Sequence, residues 1–241
     1  MEQLKKALKG RKTLIFIDFE GTQFSHEIIA SGLCKCRIDE EGNIIEEDEG
    51  LILYTKARAS IGSFITKMTS LTEEFIRENG LTWEETIDRI DDYIGENLED
   101  VVFVCFGSND PRMVLESCRI SHPDNAQQAK KWIPHFFDLM TFLSQYIRDE
   151  KGNTYSLLNF LKLYSVDPIG AAHNPLNDAI NLKNLYRAAI ARPEILFEEY
   201  QKLLCRMKLL PSPVRTIVQN LCMGKDVSHE DFLKLVREYL A

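Results

Sequence analysis

The sequence predicts an α/β fold: a mixed five-stranded sheet flanked by helices, followed by an all-helical C-terminal extension. Three patterns carry this expectation. The first quarter of the chain holds strand-like segments joined by short turns, the middle alternates buried strands with helices, and everything after Arg192 keeps a helical period.

Residues 13–20 form the first predicted strand, an apolar run from Leu14 to Ile17 that ends in Asp18-Phe19-Glu20. Residues 26–38 form the second; the turn at Asp39-Glu40-Glu41-Gly42-Asn43 sends the chain back as residues 44–54, completing an antiparallel meander. Thr72 starts a short helix. Thr82-x-x-Glu85 is a capping box opening a longer one, with Trp83, Ile87, Ile90 and Ile94 on its apolar face. Residues 101–106 are apolar throughout, as in a strand buried on both faces, and Gly107-Ser108-Asn109-Asp110 leads from them into a helix through Met113, Val114 and Cys118. A fifth strand near residues 132–137 passes through Asp138 into helices at 139–148 and 155–164, and a further helix covers 176–191.

Beyond it, Phe197, Tyr200, Leu203 and Leu204 mark one helix and residues 213–222 another. Ser228-x-x-Asp231 caps a third, whose Phe232, Leu235, Val236, Tyr239 and Leu240 form one stripe. No stretch before Arg192-Pro193 has the composition of a flexible linker. Residues 1–191 are therefore expected to form one domain and residues 192–241 a helical extension docked on it, with Lys202, Arg206, Lys208 and Arg215 as a basic rim.

With 241 residues, 44% of them apolar, the chain can bury one large core. The basic start (Lys5, Lys6, Lys9, Arg11, Lys12) is followed by an apolar run too short for a signal peptide or a membrane span, so a cytoplasmic location is expected. The net charge of −8 argues against a broad non-specific nucleic-acid binder. Residues 192–241 hold eight Lys and Arg against seven Asp and Glu, which leaves 21 against 30, or −9, for residues 1–191. Six cysteines occur without a C-x-x-C pair, and all six read as reduced packing residues.

Side chains two apart in a strand share a face, so Asp18 and Glu20 place two like charges in one site. Poorly solvated, such a pair is costly unless one carboxyl protonates or a cation neutralises both. Asp110 follows a buried strand, and in "AAHNPLNDAINL" His173 stands five residues before Asp178 at a helix start. Taken singly, Asp18-x-Glu20 also reads as a solvated strand end beside Gly21-Thr22, Asn-Asp-Pro as an ordinary helix start, and His173 as structural.

Together, in order and local context, these sites resemble the three motifs of the DEDD superfamily of 3′-to-5′ exonucleases. The His five before the last Asp points to the DEDDh subgroup; the other subgroup would show a Tyr where this chain has Asn174. The resemblance runs over residues 13–191. "KMTSLTEEF" is similar to the family's Thr-containing segment, "FFDLM" to its Asp-ended fifth strand, and Phe106-Gly107-Ser108-Asn109-Asp110 to the second motif of the RNA-processing branch. Gly21-Thr22 departs from the two-Thr variant of the first motif; Thr22 is expected to act as the second Thr, and Gly21 to leave room for a terminal nucleotide. The extension has no counterpart in the resemblance.

The resemblance implies a ribonuclease H-like fold and hydrolysis of phosphodiester bonds at the 3′ end of single-stranded RNA or DNA. It also implies two divalent cations, Mg²⁺ or Mn²⁺, about 3.5–4 Å apart. Such hard ions prefer the oxygen ligands that four carboxylates offer. By the same resemblance Asp18 bridges both ions, Glu20 and Asp178 hold the one that activates water, Asp110 acts through ordered waters, and His173 is the general base. Two alternatives stand beside this: a catalytically silent ribonuclease H-like binding module, and a phosphodiesterase for dinucleotides and very short oligonucleotides, for which an acidic surface is no obstacle.

Overall fold

Leu14 to Ile17 have no solvent-facing side, because the strand they form is covered by helices on both faces of the sheet. The computed structural model describes residues 2–95, 97–121, 126–207 and 209–240. Its strands are β1 (Thr13–Gly21), β2 (Ile28–Ile38), β3 (Ile44–Glu47), β4 (Leu51–Tyr54), β5 (Val101–Cys105) and β6 (Phe136–Asp138). They lie in the order β3-β2-β1-β5-β6, with β4 also on β2. β2 runs antiparallel to β1, while β5 is parallel to β1 and β6 to β5, so the sheet is mixed.

Alternation along β1 sends its side chains into two cores. Leu14 and Phe16 face a cluster built with α6 (Leu139–Leu143), α7 (Leu157–Leu163) and α8 (Pro175–Ala191). Ile15, Ile17 and Phe19 face a second cluster with α4 (Trp83–Ile94), α5 (Asn109–Ile120) and Trp132. The Thr82–Glu85 capping box forms in both directions at the start of α4. Two helices have no counterpart in the sequence reading. α1 (Glu2–Leu8) buries Leu4 and Leu8, and α2 (Ser63–Thr69) precedes α3 (Glu73–Asn79).

Three expected boundaries shift. The third strand divides into β3 and β4, which share one edge of β2 in tandem; the polar stretch Asp48-Glu49-Gly50 separates them, and the sheet has six strands. The fifth-strand segment is mostly a 3-10 helix, Ala126–His135, and pairs with β5 only from Phe136. There Trp132 packs against Phe103 and donates its indole N–H to Asp91 at 2.9 Å, which holds it in helical turns rather than in the ladder. α6 also stops at Leu143, well short of residue 148.

The extension consists of α9 (Pro193–Arg206), α10 (Ser212–Cys222) and α11 (His229–Leu240). Ile195 and Leu196 of α9 pack against the α8-side core, and the Tyr200 ring stands 5.2 Å from that of Tyr146. α10 packs on α9 and α11 on α10. Within the stripe on α11, Leu235 and Val236 are half-buried, whereas Phe232, Tyr239 and Leu240 are exposed. Lys202 is paired with Glu199 at 2.7 Å, Arg206 donates to the Lys202 carbonyl at 3.1 Å, and Arg215 donates to the Leu210 carbonyl, so all three described cations of the expected rim are engaged locally; Lys208 lies outside the described residues. The reading of six reduced cysteines needs correction. Cys205 and Cys222 form a disulfide, because packing of α10 on α9 brings together two residues 17 apart in sequence, which no spacing motif announces.

One close approach sets the position of α8. A Cβ on Gly32, in the interior of β2, would stand 2.1 Å from the Pro175 carbonyl carbon and 2.3 Å from the Leu176 nitrogen. Only a residue without a side chain lets the first turn of α8 lie on the strand. Gly32→Ala should therefore destabilise the protein by about 3 kcal/mol or more, since backbone cannot step aside as a side chain would. Thermal and denaturant melting check this; an unchanged midpoint would contradict the packing.

Candidate active site

β1 outlasts its neighbour. Its pairing with β5 ends at Phe16 with Val104, whereas its pairing with β2 continues through Asp18 opposite Gly32 and Glu20 opposite Ala30. Past Phe16 the β5-side edge is open, and the Phe19 N–H there is taken by Asp110 Oδ1 at 2.9 Å. Asp110 lies in the first turn of α5, which starts beyond the end of β5. One hydrogen bond thus joins a helix on one face of the sheet to the backbone between Asp18 and Glu20. Asp138 holds the approach to α5. Its Oδ1 accepts the Gly107 N–H at 2.8 Å while also capping α6 through the Thr141 N–H at 3.0 Å.

Asp178 arrives from the other face, in the first turn of α8 and beside Gly32. The preceding loop is fixed by amides. Asn181 accepts from the Ile169 N–H at 2.9 Å and donates to its carbonyl at 3.2 Å, Asn174 caps α8, and Asp178 Oδ2 accepts the His173 N–H at 2.8 Å. These bonds hold His173 at φ 62°, a left-handed conformation that a non-glycine residue adopts only when its surroundings impose it. Its ring is exposed, with Nδ1 3.8 Å from Glu20 Oε1. Glu20, His173 and Asp178 each present a ligand atom within 4.8 Å of the other two.

Burial raises the proton affinity of all four carboxyl groups, and the other carboxyls raise it further at Asp18 and Glu20. Asp18 is pushed well above the usual carboxylate range by burial, then by Asp110, Glu20 and Asp178. Glu20, 7% exposed, rises to about 8 through burial and then Asp178 and Asp110. Asp110, 5% exposed, rises to about 7 through burial despite the Phe19 N–H. Burial also raises Asp178, opposed by the His173 N–H, the His173 charge and Asn181. Hard oxygen donors, crowded and poorly solvated, suit a hard divalent cation, so the residues present fit the kind of ion that the resemblance implies.

Asp18, Glu20, Asp110, His173 and Asp178 thus come together at one end of the sheet. Gly21 and Thr22 have different surroundings from those expected. A Cβ on Gly21 would meet Met113 Sδ at 3.1 Å, so the room it leaves is filled by the protein itself. Thr22 is buried; its hydroxyl accepts the Glu27 N–H at 3.0 Å and pairs with Ser25 at 2.6 Å, bracing the turn after β1. That turn presents Phe24, 81% exposed, and Gln23, whose Oε1 stands 3.4 Å from the backbone nitrogen of Phe64, itself 61% exposed. A cleft of about 150 Å³ beside His173 is lined by Tyr54, Leu71 and Phe75 and by Thr69 and Ser70 of "KMTSLTEEF". The sequence reading missed Gly32, Asn181 and the two exposed phenylalanines. An interior strand glycine and an Asn one helical turn after Asp178 were available signals for the first two.

No family model matches the chain, and no curated protein does. Solved structures do. The nuclease domain of 3′hExo, a DEDDh family member, bound to rAMP, is similar over 76% of this chain and 92% of its own, with a TM-score of 0.60 and 16% identity. Cell-death related nuclease 4 (CRN-4) is similar over 75% and 64%, with a TM-score of 0.58 and 18% identity. E. coli exonuclease I in complex with a dT13 oligonucleotide is similar over 81% of this chain and 44% of its own, with a TM-score of 0.56 and 17% identity. The chain therefore has the fold of the DEDDh 3′-exonucleases.

The clustered carboxyls set the pH dependence of the metal-free protein. An unfolded carboxyl titrates near pH 4, whereas Glu20 does so at about 8 and Asp110 at about 7 in the fold. The folded state holds protons that the unfolded chain gives up, so their stabilisation is whole below about pH 4 and is lost as pH rises through the folded values. In EDTA the melting temperature should fall between about pH 5 and 8 and fall less in Glu20→Gln; added Mn²⁺ should restore it at high pH. A rise over that interval, or no effect of Mn²⁺, would count against the cluster.

Proposed function

We propose that this protein is a metal-dependent 3′-to-5′ exonuclease that hydrolyses phosphodiester bonds at the 3′ end of single-stranded RNA or DNA. The observation that carries this reading is the convergence of Asp18, Glu20, Asp110, Asp178 and His173 at one end of the sheet, in a fold shared with 3′-exonucleases. Asp18, Glu20, Asp110 and Asp178 are the residues that would hold two divalent cations. Bound there, the cations supply a nucleophilic water at neutral pH and offset charge on the phosphoryl oxygens.

The chain's own groups do the rest. The ring of His173, exposed and 3.8 Å from Glu20, is placed to take the proton of the attacking water as general base. The amide-braced loop before α8 and the His173 N–H bond to Asp178 keep that ring at the carboxylate cluster. Phe24 and Phe64 offer flat apolar faces on which bases of a single strand stack, whatever their identity. Neighbours of this fold bind rAMP and a dT13 strand, which supports both ribo- and deoxyribonucleotide 3′ ends as substrates. On this reading residues 1–191 are the catalytic unit and residues 192–241 a helical unit docked on it through α9.

The narrow cleft beside His173 and the charge of −8 favour a second reading, a phosphodiesterase for dinucleotides and very short oligonucleotides. Hydrolysis of a dinucleotide and of labelled single strands of about 20 nucleotides, both RNA and DNA, separates the two. The exonuclease shortens the long strands from the 3′ end, and the short-substrate enzyme turns over the dinucleotide alone. Asp18→Asn should abolish hydrolysis with an unaltered circular dichroism spectrum. His173→Ala should lose about 10²- to 10⁴-fold in rate while still binding Mn²⁺. Full activity of Asp18→Asn, or of the wild type in excess EDTA, would overturn the assignment.

A further inference from the structure

Six cysteines divide into two kinds. Cys34, Cys36, Cys105 and Cys118 are buried in the sheet cores, and burial raises all four thiols, Cys34 and Cys36 to about 11. Such thiols supply almost no thiolate and are out of reach of reagents. Cys205 and Cys222 differ in every respect. They are half-buried in the final turns of α9 and α10, are joined to each other, and line a cavity of about 560 Å³ that opens to solvent together with Glu198, Gln201, Lys202 and Arg206.

We infer that Cys205–Cys222 is a reversible redox site, reduced by a small anionic thiol that enters this cavity and thereby releases α10 and α11 from α9. Lys202 and Arg206 place positive charge beside the sulfurs, which draws in an anionic thiol and stabilises the thiolate that leaves. Lys202 keeps its ion pair with Glu199, and Glu198 tempers the field, so the attraction is modest. Cys222 Sγ lies 3.8 Å from the Gln201 carbonyl oxygen, an acceptor ready for the thiol once it forms.

The exchange balances with two thiol molecules. The thiolate of the first attacks one sulfur of the bridge, forming a mixed disulfide and expelling the other cysteine as thiolate. The thiolate of the second attacks the small-molecule sulfur of that mixed disulfide and expels the remaining cysteine. Two thiols become one disulfide, and the protein gains two electrons and two protons. The fold makes the bond consequential. Among the described residues Pro213 is the buried side chain of α10, α11 has none, and α9 keeps its own anchorage through Ile195, Leu196 and Tyr200. Opening the bridge loosens the outer two helices and leaves the rest in place.

The experiment uses the full chain, air-oxidised, then equilibrated in glutathione buffers of stepped reduced-to-oxidised ratio. Alkylation with mass spectrometry reads each cysteine, and hydrogen exchange reads each helix. Cys205 and Cys222 should become alkylated together as the ratio rises, with the four buried thiols protected, and exchange should speed up in α10 and α11 but not in α8. In Lys202→Gln/Arg206→Gln, reduction by glutathione should slow about tenfold while reduction by neutral mercaptoethanol keeps its rate. Alkylation of the pair before any reductant is added overturns the proposal, as does a bridge that survives excess glutathione in the folded protein. Equal exchange of α10 and α11 in the two states overturns the release, and an equal slowing with both thiols overturns the cationic pocket. The α8 exchange serves as the check that each variant is folded.

Discussion

Four carboxyl groups share one end of the sheet, and the electrostatic cost of keeping them there is the constraint that the surrounding structure answers. Each compensation is visible. Asp110 and Asp178 occupy the first turns of α5 and α8, where the helix dipole favours negative charge. Asp110 also takes the Phe19 N–H, and Asp178 takes the His173 N–H. Even so, burial leaves all four with raised proton affinity, and repulsion within the cluster adds to it at Asp18 and Glu20. A site that stores repulsion in this way has a strong preference for whatever positive charge can enter it.

The cluster exists because unequal strand lengths and helices on opposite faces meet at a single edge. Had β5 run as far as β1, its ladder would have claimed the Phe19 N–H and Asp110 would have had no anchor between Asp18 and Glu20. Had β2 carried a side chain at Gly32, α8 would have stood off the sheet and carried Asp178 and His173 away with it. Asp138 and Asn181 each fix the loop from which a cluster helix starts. Rigid support of this kind is what holds side chains within the tolerances that chemistry demands.

The extension follows a different economy. α9 shares the α8-side core, whereas α10 buries only Pro213 among its described residues and α11 none, and the apolar side chains of α11 are largely in solvent. A helix so weakly packed has little tertiary stabilisation beyond its connections, and one covalent bridge there changes more than it would in the core.

Much of this was written locally in the sequence. Continuous apolarity from Leu14 to Ile17 meant burial on two faces, the i, i+2 spacing placed Asp18 and Glu20 on one side of β1, and Thr82 with Glu85 capped α4, because strand alternation and helix capping depend on neighbours a few residues away. What packing decided lay between distant residues. Asp110 meets Phe19 across 91 positions and Cys205 meets Cys222 across 17; β3 separates from β4, and Trp132 leaves the strand pattern for Asp91. The same holds for Gly21 and Thr22, whose residue types suit a substrate but whose contacts turn inward to Met113, Ser25 and Glu27. A period in the sequence states which face a side chain occupies; what stands opposite that face is settled only when strand lengths, helix offsets and close approaches such as Gly32 on Pro175 bring the two together.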